Sequence, residues 1–251
     1  MKIQLAYGGP PKAMALGLND PTDRPSMLVS FVYLKRFFRE RGPFLIRDWV
    51  LDSGAYSAFK SGTEIDLADY TANCKTLLAT EPDLEAVFAL DVIGDPVATL
   101  KNCEAMWADD VPAIPCFHKG EPEEILIEMA ARYPKIALGG VAGFTHPKEK
   151  FKWAEQCFAR VWPKRIHGFG FGAQWQILGL PWDSADASNW EIGPTRFGTW
   201  ISFGGRMSVR GGTQNLRSEV NYFLRLERKA TARWAKTMQQ IPEHDCQENH
   251  Q

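Results

Sequence analysis

The sequence contains no pair of closely spaced cysteines. Its five cysteines, Cys74, Cys103, Cys116, Cys157 and Cys246, are odd in number and scattered. None forms the Cys-x-x-Cys element of a structural zinc site or a dithiol redox motif, so they read as buried free thiols in a reducing compartment. No apolar run approaches the roughly 20 residues that span a bilayer, and MKIQLAYGGPP lacks the apolar core and cleavage site of a signal peptide. The expected location is the cytoplasm, with no membrane partner. No Gly-x-Gly-x-x-Gly run opens a helix after a strand, which argues against a dinucleotide fold. Internal repeats, low-complexity segments and a recognisable linker are also missing.

Charge of one sign is scarce in the total: Lys and Arg number 29 and Asp and Glu 30, a formal net charge of −1. The whole molecule is therefore not a polycation drawn to nucleic acid. The distribution is less even. From Arg196 to Lys236 there are nine cations, among them Arg196, Arg206 and Arg210, against Glu219 and Glu227. Such a stretch can meet phosphates, or it can be the solvated face of a C-terminal helix.

What is abundant is a short apolar run followed by an amphipathic stretch. Strands are expected at Ile3–Tyr7, Trp49–Asp52, Ala86–Asp91, Val111–Phe117, Lys135–Gly139, Arg165–Gly170, Pro181–Asp186 and Phe197–Phe203. Helical spacing covers Met27–Arg41, Ile65–Thr80, Asp95–Ala108, Glu121–Tyr133, Pro147–Val161, a short piece from Ala173, and Asn215–Met238. Strand and helix alternate over 251 residues, which predicts an α/β fold, a (β/α)8 TIM barrel in one domain over residues 1–241 with a loose polar tail at 242–251. An open doubly wound sheet is the alternative.

In either arrangement ligands meet the carboxyl ends of the strands. Asp52 and Asp91 each follow an apolar run directly, and His118 ends the next one. Asp183 and Asp186 offer further carboxylates near the seventh expected strand. Gly139-Gly140 and the loop His167–Gly172 expose bare backbone. Asp66, Asp95 and Asp183 read as helix caps or turn residues. Asp52 with Asp91, at neighbouring strand ends, read as a site, since paired carboxylates divide acid-base work from cation stabilisation.

The segments LDSGAYSAF (51–59), LDVIGDP (90–96), PCFHKGE (115–121), IALGGVAG (136–143), IHGFGFG (166–172) and SADASNW (184–190) stand in an order that resembles the tRNA-guanine transglycosylase superfamily. The closer likeness is to its phage and bacterial branch, the DpdA-like 7-deazaguanine DNA transglycosylases. The resemblance implies a TIM barrel that exchanges guanine in DNA for a free 7-deazaguanine base such as preQ0 or preQ1, a modification that shields DNA from restriction. It implies Asp186 as the nucleophile and Asp52 as the general acid and base. Asp91, Ser53, His118, Gly139 and Gly140 would contact the base, with Tyr56 or Phe171 stacking on it, and Arg196, Arg206 and Arg210 would meet the nucleic acid. The tRNA enzymes carry a cysteine-rich zinc site near the C-terminus that has no counterpart here, so neither a zinc site nor another cofactor is expected, and tRNA is the less favoured substrate. A hydrolase using the same carboxylates with water, and a non-catalytic barrel that binds purine or nucleic acid, are the other readings.

Overall fold

A computed structural model describes residues 1–8, 24–41, 45–203 and 216–241, apart from the side chains of Thr195, Arg196 and Phe203. Eight strands form one parallel sheet: β1 (Lys2–Tyr7), β2 (Ser26–Ser30), β3 (Asp48–Asp52), β4 (Leu84–Val87), β5 (Cys116–His118), β6 (Lys135–Gly139), β7 (Arg165–Gly168) and β8 (Ser184–Ala187). Strand β1 lies between β2 and β8, so the sheet curls back on itself. The remaining seam, between β4 and β5, is joined by a parallel bridge of Phe88 with Ile114, where Ile114 N–H donates to Val87 O at 2.9 Å and Ala89 N–H to Ile114 O at 2.9 Å. The sheet is thus a closed (β/α)8 barrel, the arrangement expected from the alternation.

The helices that follow the strands are α1 (Leu34–Glu40), α2 (Ala55–Ser61), α3 (Leu67–Thr80), α4 (Pro96–Ala108), α5 (Glu123–Arg132), α6 (Pro147–Val161), α7 (Gln174–Gly179), α8 (Asn189–Ile192) and α9 (Leu216–Met238). Two of the expected caps are present. Asp66 accepts from Asp69 N–H at 2.8 Å, and Asp95, ahead of Pro96, accepts from Ala98 N–H at 2.9 Å, each meeting a donor that a helix N-terminus leaves unpaired.

Two strand expectations fail, and they offset each other. Ser26–Ser30 is a fully buried strand where the sequence predicts helical spacing from Met27, because the run SMLVSFVYL passes from strand to helix with no charged residue, glycine or proline to mark the change. Phe197–Phe203 is no strand; a π-type turn, Gly193–Phe197, and a short 3-10 turn, Ile201–Phe203, occupy that stretch. Asp52 therefore ends the third strand, His118 the fifth, and Asp186 lies on the eighth.

Strand period 2 divides the core. Trp49 and Leu51 of β3 face the helices with the larger apolar cluster, whereas Val50 points into the lumen with Leu28, Phe88, Ile114, Cys116 and Ala137. The same parity sends Asp48 and Asp52 inward at the two ends of β3. Phe88, His167 and Phe169 fill the interior with ring centroids 4.5–4.9 Å apart. Buried charge closes the amino-terminal end: Glu227 of α9 accepts Ile3 N–H at 2.7 Å and pairs with Arg47 at 2.8 Å. No helix among the described residues is long and apolar enough to cross a membrane.

Candidate active site at the carboxyl end of the barrel

Three inward-facing carboxylates gather at the carboxyl ends of the strands. Asp52 follows the last apolar residue of β3, Asp91 follows the extension of β4, and Asp186 lies on β8. They are close enough to feel one another: burial, then the charges of Asp91 and Asp186, raise the Asp52 carboxyl to about 7. The Gly54 N–H, 3.2 Å from Asp52 Oδ2, opposes that rise without reversing it. Burial likewise raises Asp186 to about 6, held back by the N–H of Gly170, which donates to Oδ1 at 2.5 Å, and by Lys150. At neutral pH Asp186 is mainly ionised and Asp52 is divided between its two forms, a split suited to separate roles.

The ambiguity between Asp183 and Asp186 is resolved by position. Asp183 precedes β8 at the opposite end of the barrel, where Lys135 (2.6 Å) and Arg165 (2.8 Å) pair with it. Burial would raise its carboxyl, but these two cations win and hold it down at about 2. Asp183 is structural, as its turn-like setting suggested.

His118 reaches across from β5. Its Nε2 lies 3.2 Å from Asp91 Oδ2, its Nδ1 3.0 Å from Glu121 Oε1, and its backbone N–H donates to Glu121 Oε2 at 2.8 Å. A charged Cys116 sulfur would push the imidazole upward most, followed by Asp91 and Glu121, all against burial. Burial holds the Cys116 thiol up at about 12, however, so at neutral pH it is uncharged and the two carboxylates favour the imidazolium. Asp91 is itself raised by burial, against the pull of His118. Its Oδ1 is buried and meets no donor among the described residues.

The glycines prove to be packing devices first. A Cβ on Gly139 would stand 2.5 Å from Cys116 Sγ, and Gly140, at φ +67°, brings its backbone against His118 and Lys119. Gly140 is nonetheless exposed at the mouth.

Two expected contacts need correction. Ser53 is buried, and its Oγ accepts Ala55 N–H at 3.4 Å, so the hydroxyl starts α2 instead of facing a ligand. Phe171 has no exposed surface and packs on Trp182 with centroids 4.6 Å apart, which removes it from stacking on a base. Tyr56, on α2 just beyond Asp52, is 47% exposed, with Lys60 Nζ 4.6 Å from its ring centre. Arg206 and Arg210 lie outside the described residues, as does the side chain of Arg196.

Residues beside Asp186 escaped the sequence reading. His167 is fully buried, with Nδ1 2.9 Å from Ser184 Oγ and Nε2 3.9 Å from Asp186 Oδ1, and burial keeps its pKa far below the usual value, hence neutral. Lys150 donates to Gly170 O at 2.6 Å, bracing the peptide segment that holds Asp186. Trp190 Nε1–H donates to Ala6 O at 2.9 Å and anchors the turn after β8 to β1. Only the place of His167 in the IHGFGFG segment hinted at its proximity; Lys150, in the first turn of α6, carried no signal.

These features define a (β/α)8 barrel with three carboxylates gathered at its carboxyl end. No protein-family model and no curated protein matches the chain. Among solved structures, tryptophan synthase subunit alpha from Campylobacter jejuni matches at 12% identity and a TM-score of 0.46, covering 87% of this chain and 94% of that one. At that distance the likeness says nothing of chemistry.

Proposed function

We propose that this protein is a guanine transglycosylase that exchanges guanine in DNA for a 7-deazaguanine base of the preQ0 or preQ1 type. The observation that carries the reading is the convergence of Asp52, Asp91 and Asp186, three inward carboxylates of which Asp52 is raised by both of the others.

In this reading a carboxylate oxygen of Asp186 attacks the sugar C1′, the C1′–N9 bond breaks, and guanine leaves with a proton supplied by Asp52. The product is a glycosyl ester on Asp186. The incoming base then gives its N9 proton to Asp52, N9 attacks C1′, and the ester bond breaks to free Asp186. Two inversions return the original configuration. The buried Oδ1 of Asp91 suits the N1–H or the 2-amino group of either base. A base inside a duplex must be turned out of the stack to reach such a site.

The test is incubation of the protein with guanine-labelled DNA, and separately with labelled tRNA, with and without preQ0. The reading expects label to leave DNA only when preQ0 is supplied, and not in Asp186→Asn. Release from tRNA alone would move the substrate to the other branch of the superfamily. Release without an incoming base would make the protein a hydrolase. No release from either nucleic acid would overturn the reading.

A further inference from the structure

Cys116 and His118 stand two residues apart on β5, so the strand period sends both side chains into the barrel on one face. The seam with β4 brings Asp91 to them. The sulfur, an imidazole nitrogen and a carboxylate oxygen of these residues all lie within 4.8 Å of one another. His118 is clamped from behind, because Glu121 takes both its Nδ1 (3.0 Å) and its backbone N–H (2.8 Å), leaving Nε2 aimed at Asp91. A carboxylate on the far ring nitrogen is the arrangement that orients metal-bound histidines. Gly139 keeps room for the sulfur, since any side chain there would collide with Sγ. Asp91 Oδ1 remains a buried acceptor without a donor among the described residues.

We propose that Asp91, Cys116 and His118 form a binding site for a divalent ion of the zinc class, with Glu121 positioning His118. The donor set selects the ion: thiolate and imidazole suit zinc and its neighbours, not magnesium or calcium. Zinc bonds of about 2.0–2.3 Å put tetrahedral ligand atoms roughly 3.3–3.8 Å apart, so three donors within 4.8 Å need to close by about 1.5 Å at most. Three protein ligands leave a position for water or a carbonyl oxygen, as catalytic zinc sites do. Binding replaces the Cys116 S–H and the His118 Nε2–H bonds by bonds to the metal and releases both protons to solvent. The site does not depend on the base-exchange reading, and its test needs no substrate.

The experiment is titration of the full chain, stripped with a chelator, with Co2+ and then Zn2+. The site predicts one Co2+ per chain, a near-ultraviolet thiolate-to-cobalt absorption band, and its loss when Zn2+ displaces the cobalt. Cys116→Ser should abolish the band, whereas Cys74→Ser, a buried thiol elsewhere, should keep it. Glu121→Gln should keep the band and weaken the ion by about 10- to 100-fold. If Cys116→Ser fails to fold, the Glu121→Gln affinity and the protons released by the wild type decide. No stoichiometric ion, a band that survives Cys116→Ser, or a Glu121→Gln affinity equal to wild type would each overturn the proposal.

Discussion

The two ends of this barrel use the same residue type to opposite purposes, and single strands display both. β3 begins with Asp48 and ends with Asp52. Asp48 is held below the usual carboxylate range: burial alone would raise it, but Ser26, Lys2 and Arg47 more than compensate. Asp52, four residues on, has no ion-pair partner among the described residues and rises to about 7. β8 repeats the contrast, with Asp183 pulled down to about 2 at its entrance and Asp186 raised to about 6 within it. All four carboxylates are withdrawn from water, so burial does not separate them. The partner does. Where a lysine or arginine pairs with it directly, an aspartate is held in its charged form and stabilises the fold. Asp52 and Asp186 have no such direct pair among the described residues, Lys150 acting on Asp186 only from beyond ion-pair distance, and burial raises both.

The largest expected break in that contrast is Asp186→Asn. In the base-release assay it should lose about 10⁴-fold or more, as loss of a nucleophile does, while the chain stays folded by circular dichroism. Asp52→Asn should lose about 10²- to 10⁴-fold. It should also stabilise the protein at pH 8 by about 2–4 kcal/mol in a denaturant titration. The sign follows from a folded pKa of about 7 against an ordinary 3.8. The folded state holds this proton more tightly, so the stability linked to it is complete below 3.8 and is lost as pH rises through about 7. The wild-type rate should be bell-shaped and highest between about 6 and about 7, where Asp186 is ionised and Asp52 still carries its proton.

At the other end the linkage reverses. Asp183→Asn should cost about 2–3 kcal/mol at neutral pH, and the cost should shrink as pH falls from 3.8 towards 2, where the wild-type carboxylate itself is protonated. Activity per folded molecule should not change. The smallest effect is expected of Lys2, whose Nζ spans Asp48 (2.9 Å) and Glu85 (2.7 Å) from a side chain about one-third exposed. Lys2→Met should lose at most about 1 kcal/mol in thermal unfolding, and less in high salt.

Much of the site was readable from the sequence because its members sit where an apolar run stops. Asp52, Asp91 and His118 each occupy that place, and barrel topology alone sends such residues to one mouth. The buried strand Ser26–Ser30 was not readable, since a short strand that leads straight into a helix with no glycine, proline or charge between them leaves no break in the pattern. The side-chain directions of Ser53 and Phe171 were hidden for a related reason: a loop has no fixed period, so adjacency to a strand end does not say which residue faces the ligand. Asp183 and Asp186 look alike in sequence, and only Lys135 and Arg165, brought from two other strands, tell them apart. The meeting of Asp91 with Cys116 depends on closing the β4–β5 seam, which no local pattern encodes.

The most direct test of the contrast is a carboxyl-carbon NMR titration of the aspartates in the folded protein, assigned by substitution. The account predicts that Asp52 and Asp186 titrate near 7 and near 6 while Asp183 titrates near 2. If Asp52 and Asp186 titrated instead in the ordinary range near 3.8, the carboxyl end of the barrel would be no more poised for chemistry than its base, and the functional reading would lose its physical ground.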